Sequence, residues 1–256
     1  PKIDVNIQTS SNVYSDDVDR GFTALHLACL HKRIEIVKLL LSMPDIDVNI
    51  QSSKSGKDGD NFYSRSDHEG FTALHLAVES NCIEIVKLLL KMPKIDVNIQ
   101  TSSNKSLLDE FTPLHFAAEN NNTEMVKLLL SMPNINVNLR TYSKGFTALH
   151  FACVNNNADM VKLLLSHPNI NVKIKSKPPN YGASCVDHSY RCMTPLKVSI
   201  ENKNFEIINL FAESKKVIVD IDAVKKKIEE SNNKKFSNRR KYLYANFDFE
   251  EEEEEY

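Results

Sequence analysis

TALHLACLHKRIEIVKLLLSMPDIDVNIQ, Thr23 to Gln51, decides how the chain is built, because it comes back. Units of the same 29 residues run from Thr72 to Gln100, Thr112 to Arg140, Thr147 to Lys175 and Thr194 to Asp222, each without an internal gap. Their first residues lie 49, 40, 35 and 47 positions apart. The unit is therefore constant and only the connector changes, from six residues at 141–146 to twenty at 52–71. Constant units with insertions at one place are how a solenoid behaves, since insertions must leave by one face of the stack. Residues 1–8 (PKIDVNIQ) align with 44–51, so the chain reads as starting inside a unit, a fragment of a longer array.

Each unit predicts two short helices. Thr23 is placed to cap the first, followed by Ala or, at Pro113 and Pro195, by a proline that the first helical position tolerates. His26, His75, His115 and His150 stand three residues after the cap, where a capping-box Glu would reach back. The second helix, Ile34 to Leu41, carries Ile36, Val37, Leu39, Leu40 and Leu41 and needs covering on two sides. Pro44, Pro93, Pro133 and Pro168 stop it. The following IDVNIQ alternates apolar and polar residues, as an extended arm would.

T-A-L-H-L-A, then E-I-V-K-L-L-L, then D-V-N-I-Q resembles the ankyrin repeat, in register, over residues 1–222. The resemblance implies an all-α solenoid of stacked helix pairs with β-hairpin-like finger loops, and protein binding as the function class. Three departures stand out. The turn after helix two has one extra residue, the fingers are often much longer, and the fifth unit is degraded, with Lys197 for His, Ser199 for Ala and Asp220 for Asn. Atypical terminal repeats are what a cap should look like.

Residues 223–256 lie outside the repeat. Ile221, Val224 and Ile228 predict one short amphipathic capping helix. Residues 225–241 then hold eight Lys/Arg against two Glu, and 245–256 hold seven acids and no base. That acidic end has too little apolar surface to fold alone and reads as a disordered tail. Phe236, Tyr242 and Tyr244 among the basic residues suggest base stacking, but the acids that follow are a built-in competitor, so nucleic acid is not expected as a partner.

Composition narrows the classes further. A net charge of −2 over 256 residues lacks the basic footprint of a nucleic-acid binder. No apolar run approaches the ~20 residues that span a bilayer. Five Cys without a paired framework fit a reducing compartment, so an intracellular, cytoplasmic monomer is expected. Six Gly and no Trp leave little for phosphate-cradling loops, and no cofactor is implied.

Catalysis finds no constellation. The repeated His sit one solenoid step apart and cannot converge on one pocket. Asp67, His68 and Glu69 are adjacent on the longest finger, without a rigid support shell. Cys185, His188 and Cys192 have ligand types and spacing that zinc accepts, but no obvious fourth ligand, and read as ordinary residues. Cys29 and Cys153 occupy positions that need a small apolar side chain.

The candidate binding residues form a ladder. Phe22, Phe71, Phe111, Phe146 and Met193 each precede the Thr cap, a position that the resemblance places at the finger base on the concave side. Beside them come the ends of the first helices, among them Glu79, Glu119, Val154 and Glu201. Two readings stand: an exposed apolar stripe with an acidic edge, or a row of core residues packed under the fingers. The expectation is a non-enzymatic scaffold or adaptor that binds a partner protein through its concave face and fingers. The alternative is the recognition arm of a larger enzyme or channel.

Overall fold

The computed structural model describes residues 3–9, 21–52, 68–102, 110–177 and 192–234. The chain divides into two compact units, Pro1–Ile218 and Val219–Tyr256. Among the described residues the first holds five helix pairs: α1 (Ala24–Leu30) with α2 (Ile34–Leu41), α3 (Ala73–Glu79) with α4 (Ile83–Leu89), α5 (Pro113–Glu119) with α6 (Thr123–Leu130), α7 (Ala148–Val154) with α8 (Ala158–Leu165), and α9 (Pro195–Glu201) with α10 (Phe205–Glu213). In the second, the described helix is α11 (Ile221–Lys234). There are no strands among the described residues.

Helices of seven to nine residues are too short to persist alone in water, where about 12–15 residues are already marginal. Stacking holds them. Each first helix packs on its own second helix and on the first helices of the neighbouring units. Ala28, Ala77, Ala117, Ala152 and Ser199, all buried at one register position, let these first helices approach closely. The second helices touch one another less.

The caps form as the repeat predicts. Thr23, Thr72 and Thr112 accept the N–H of His26, His75 and His115 at 3.3, 3.4 and 3.3 Å. The ring returns the bond, each His Nδ1 accepting the backbone N–H of its cap threonine at 3.1 Å, and His150 does the same with Thr147. The turn between paired helices passes through the left-handed region at Lys32, Asn81, Asn121, Asn156 and Lys203, with φ of 54°, 55°, 56°, 53° and 57°.

Two expectations need correction. Leu39 and Ile36 are 63% and 50% exposed, because α2 belongs to the first described pair and no described helix covers its outward side. At the matching position of the next unit, Ile85 is fully buried. The IDVNIQ arm is not an extended strand. Asp47 Oδ1 accepts the Asn49 N–H at 2.9 Å and turns the chain at Val48–Asn49, a geometry that alternates apolar and polar residues as a strand does. Asp220, noted in the sequence as a departure from Asn, is used differently from the residues it replaces: its carboxylate accepts the Ala223 N–H at 2.9 Å at the start of α11.

Candidate protein-interaction surface

The five ladder residues are core. Phe22, Phe71, Phe111, Phe146 and Met193 are 1%, 2%, 8%, 5% and 4% exposed, so the exposed stripe is corrected to a buried column. The reason is ring packing. Phe22 meets His68 at a centroid distance of 6.0 Å, His68 meets Phe71 at 4.9 Å, and Phe71 meets Phe116 at 5.2 Å. The column continues from Phe116 to Phe111 at 4.9 Å, on to Phe151 at 5.6 Å and to Phe146 at 5.4 Å. Phe116 and Phe151 were not singled out in the sequence reading. Their signal was present, since two units read L-H-F where the first two read L-H-L.

A second group was also missed. Thr9, Ser52, Thr101, Thr141 and Ser176 open the connectors, and their hydroxyls accept the backbone N–H of Phe22, Phe71, Phe111, Phe146 and Met193 at 3.0, 2.9, 3.0, 3.1 and 2.9 Å. Their own N–H groups donate to the carbonyls of the same five residues at 2.7 to 2.9 Å, closing each finger base like the end of a hairpin. A hydroxyl at the first position of every connector was visible in the sequence. Its partner, however, lies across an insertion of variable length.

Unit is tied to unit by side chains. Asn6, Asn49, Asn98 and Asn138 donate to the carbonyls of Asp45, Lys94, Asn134 and Asn169 at 2.8, 2.7, 2.8 and 2.7 Å. The same side chains accept N–H groups of Asp47, Asp96, Asn136 and Asn171 at 2.9, 2.9, 2.7 and 2.8 Å. Gln8, Gln51 and Gln100 bridge likewise to the carbonyls of Gln51, Gln100 and Arg140 at 2.9, 2.9 and 3.1 Å. The capping histidines add a third tie, with the Nε2 of His26, His75 and His150 donating to the Phe71, Phe111 and Met193 carbonyls ahead of the next unit at 3.0, 3.1 and 3.0 Å, while that of His115 donates to the Leu139 carbonyl of its own unit at 2.9 Å.

Both nitrogens of each repeated His are thus engaged, leaving none for chemistry. Burial holds the imidazole of His75 down at about 3 and that of His150 at about 4, against the backbone bonds that favour the cation. Burial likewise pushes the Cys153 thiol up to about 12 and raises that of Cys29, consistent with inert core residues. Among the described residues no group of three or more His, Cys, Asp or Glu is placed to hold a metal ion. Cys192 is exposed, while Cys185 and His188, like Asp67, Phe236, Tyr242, Tyr244 and the acidic end, lie outside the described residues.

The exposed groups near the column are the ends of the first helices. Glu79 is exposed and its Oε2 lies 3.0 Å from His68 Nε2. Glu119 is exposed, and Val154 and Glu201 are half-buried, with burial raising the Glu201 carboxyl against the pull of Lys197 and Lys203. Part of this row is structural. Asn155 donates to Ala118 and Glu119 carbonyls at 2.9 and 3.1 Å, and Asn202 to the Cys153 carbonyl at 3.1 Å.

A family model described as ankyrin repeats (3 copies) matches residues 6–101 and 101–176. The chain belongs to the ankyrin-repeat family. The repeat is a protein-interaction module, and the ties described above are how this chain holds its copies in register. Among solved structures, the chain is similar to the ankyrin repeat domain of Bcl-3, described as a unique member of the IkappaB protein family. The identity is 29% and the TM-score 0.54, over 75% of this chain and 70% of that one. No curated protein sequence gives a significant match. Among the described residues, no helix is long and apolar enough to cross a membrane.

Proposed function

We propose that the chain is a non-enzymatic adaptor that holds a partner protein along the ends of its first helices and the adjoining loop edge. One observation carries this reading. The cap threonines, histidines and small residues repeated from unit to unit are buried or bridging, whereas the ends of the first helices, exposed or half-buried, vary: Leu30-His31, Glu79-Ser80, Glu119-Asn120, Val154-Asn155 and Glu201-Asn202, with Glu-Asn in the third and fifth units. A repeat protein spends its constant positions on stacking, which leaves the variable exposed ones to distinguish partners. Phe22, Phe71, Phe111, Phe146 and Met193 then act from beneath, fixing the finger bases. Glu79, Glu119 and Glu201 give this edge an acidic character suited to a basic partner surface.

The test is charge reversal. A chain carrying Glu79→Lys and Glu119→Lys should melt within about 0.5 kcal/mol of the parent, as exposed substitutions do. Its partner, isolated by affinity to the parent chain, should associate more slowly and with altered salt dependence. A partner that binds the doubly reversed chain with unchanged kinetics would remove the first-helix ends from the interface.

A further inference from the structure

The finger-loop edge changes sign along the stack. Near its start it carries Asp4, Asp47 and Asp96 at one register position, and these become Asn136 and Asn171 in the next two units. The ladder position filled by Gln8, Gln51 and Gln100 becomes Arg140 and then Lys175, and that of Asn49, Asn98 and Asn138 becomes Lys173. Lys144 and Lys177 join them from the neighbouring connectors, and Arg140, Lys144, Lys173 and Lys175 are all exposed. Among the described residues none of these five cations forms an ion pair.

Two of the cations, Arg140 and Lys177, are also held in place. Arg140 keeps the bonds of the glutamine it replaces, Nε donating to the Gly145 carbonyl at 3.3 Å and Nη2 to the Lys175 carbonyl at 2.7 Å. It lies against Gly145, where φ is +63° and a Cβ would come within 2.7 Å of Nη2. Two of its five N–H groups are thereby used, and among the described residues the others remain as donors in the planar fork that suits a carboxylate. Lys177 donates from Nζ to the Tyr142 carbonyl at 3.0 Å and sits 4.8 Å from the centroid of that half-exposed ring. Holding long cationic side chains beforehand reduces the entropy lost on binding.

We propose that the edge formed by Arg140, Lys144, Lys173, Lys175 and Lys177, with Tyr142, is a docking site for an acidic, extended peptide segment of a partner protein. The inference rests on the adaptor reading and adds the chemistry of the segment recognised. An acidic peptide fits better than a nucleic acid. The basic stretch covers only two units, and a polyanion continuing along the edge would meet Asp96 and Asp47. A segment with acids toward the fourth unit and basic residues toward the first matches the whole edge.

The experiment titrates the full chain into a fluorescein-labelled octaglutamate peptide at about 0.15 M salt, following anisotropy. The comparison is with Arg140→Gln/Lys175→Gln, which restores at both positions the residue found at Gln51 and Gln100 and so preserves the ladder. Saturable binding that weakens by at least about tenfold in this variant, with unchanged melting, is the expected result. No saturation, or binding indifferent to the substitution, overturns the proposal. So does tighter binding of a dT12 oligonucleotide with the same dependence on Arg140 and Lys175, which would assign the edge to nucleic acid. A lost partner in the Glu79/Glu119 reversal alongside a failed octaglutamate titration would leave the adaptor reading standing and sink only the acidic segment.

Discussion

Replacing Phe111 and Phe146 by alanine is expected to destabilise the stack by several kcal/mol. Each ring is nearly fully buried, and truncating a buried Phe costs about 3–5 kcal/mol through lost transfer energy and the cavity left behind. Both rings pack on Phe151, at 5.6 and 5.4 Å, so the two losses will not simply add. The finger-base bonds of Thr101 and Thr141 run to the backbone of the same two residues and survive the change, which favours damage by cavity over unfolding of the loops. Urea denaturation of the single and double variants measures this. A double variant with the parent's midpoint would return the ladder to the surface and reopen it as the binding face.

Acid should loosen the stack well before general carboxylate protonation does. His75 and His150 are held near 3 and 4, and His26 is also lowered, in each case chiefly by burial, from an ordinary value of 6.5. Between those limits the unfolded chain binds protons that the folded chain refuses. The stability these groups contribute is therefore complete above about pH 6.5 and is lost as pH falls toward the folded values. The slope reaches about 1.4 kcal/mol per pH unit for each such group. Protonation also adds a hydrogen at Nδ1, opposite the cap N–H it must accept, so the capping box is lost while the Nε2–H bond to the next finger base is kept. Urea midpoints should hold level from about pH 7.5 to 6.5 and then fall steadily to about 4.5, and a profile that stays flat to about 4.5 would mean the imidazoles are not sequestered.

Much of this fold was written in the residues because the repeat is a local signal. The Thr-x-x-His cap, the helix pair and the length of each unit follow from spacing within a few residues. What escaped depends on neighbours. IEIVKLL occurs unchanged in α2 and α4, yet Ile36 is half exposed and Ile85 fully buried, since only the second has a helix pair on its outward side. The ladder could not be oriented from sequence either. The connectors around Phe22 and Phe71 have no periodicity, and the partners that bury these rings, His68 and Phe116, sit in other units. The Asn and Gln bridges span 31 to 49 residues of sequence, beyond any local pattern. Arg140 and Lys175 are unremarkable in composition and become informative as replacements at a position that otherwise holds glutamine.

The units should act as one cooperative stack whose edge is set by ties between neighbours. Native-state hydrogen exchange of a Leu129→Ala chain tests this most directly, because Leu129 is fully buried in α6 and its loss should cost about 2–5 kcal/mol. Shared interfaces predict reduced protection in α3–α4 and α7–α8 as well as in α5–α6. Protection lost from α5–α6 alone, with both neighbouring pairs unchanged, would contradict it.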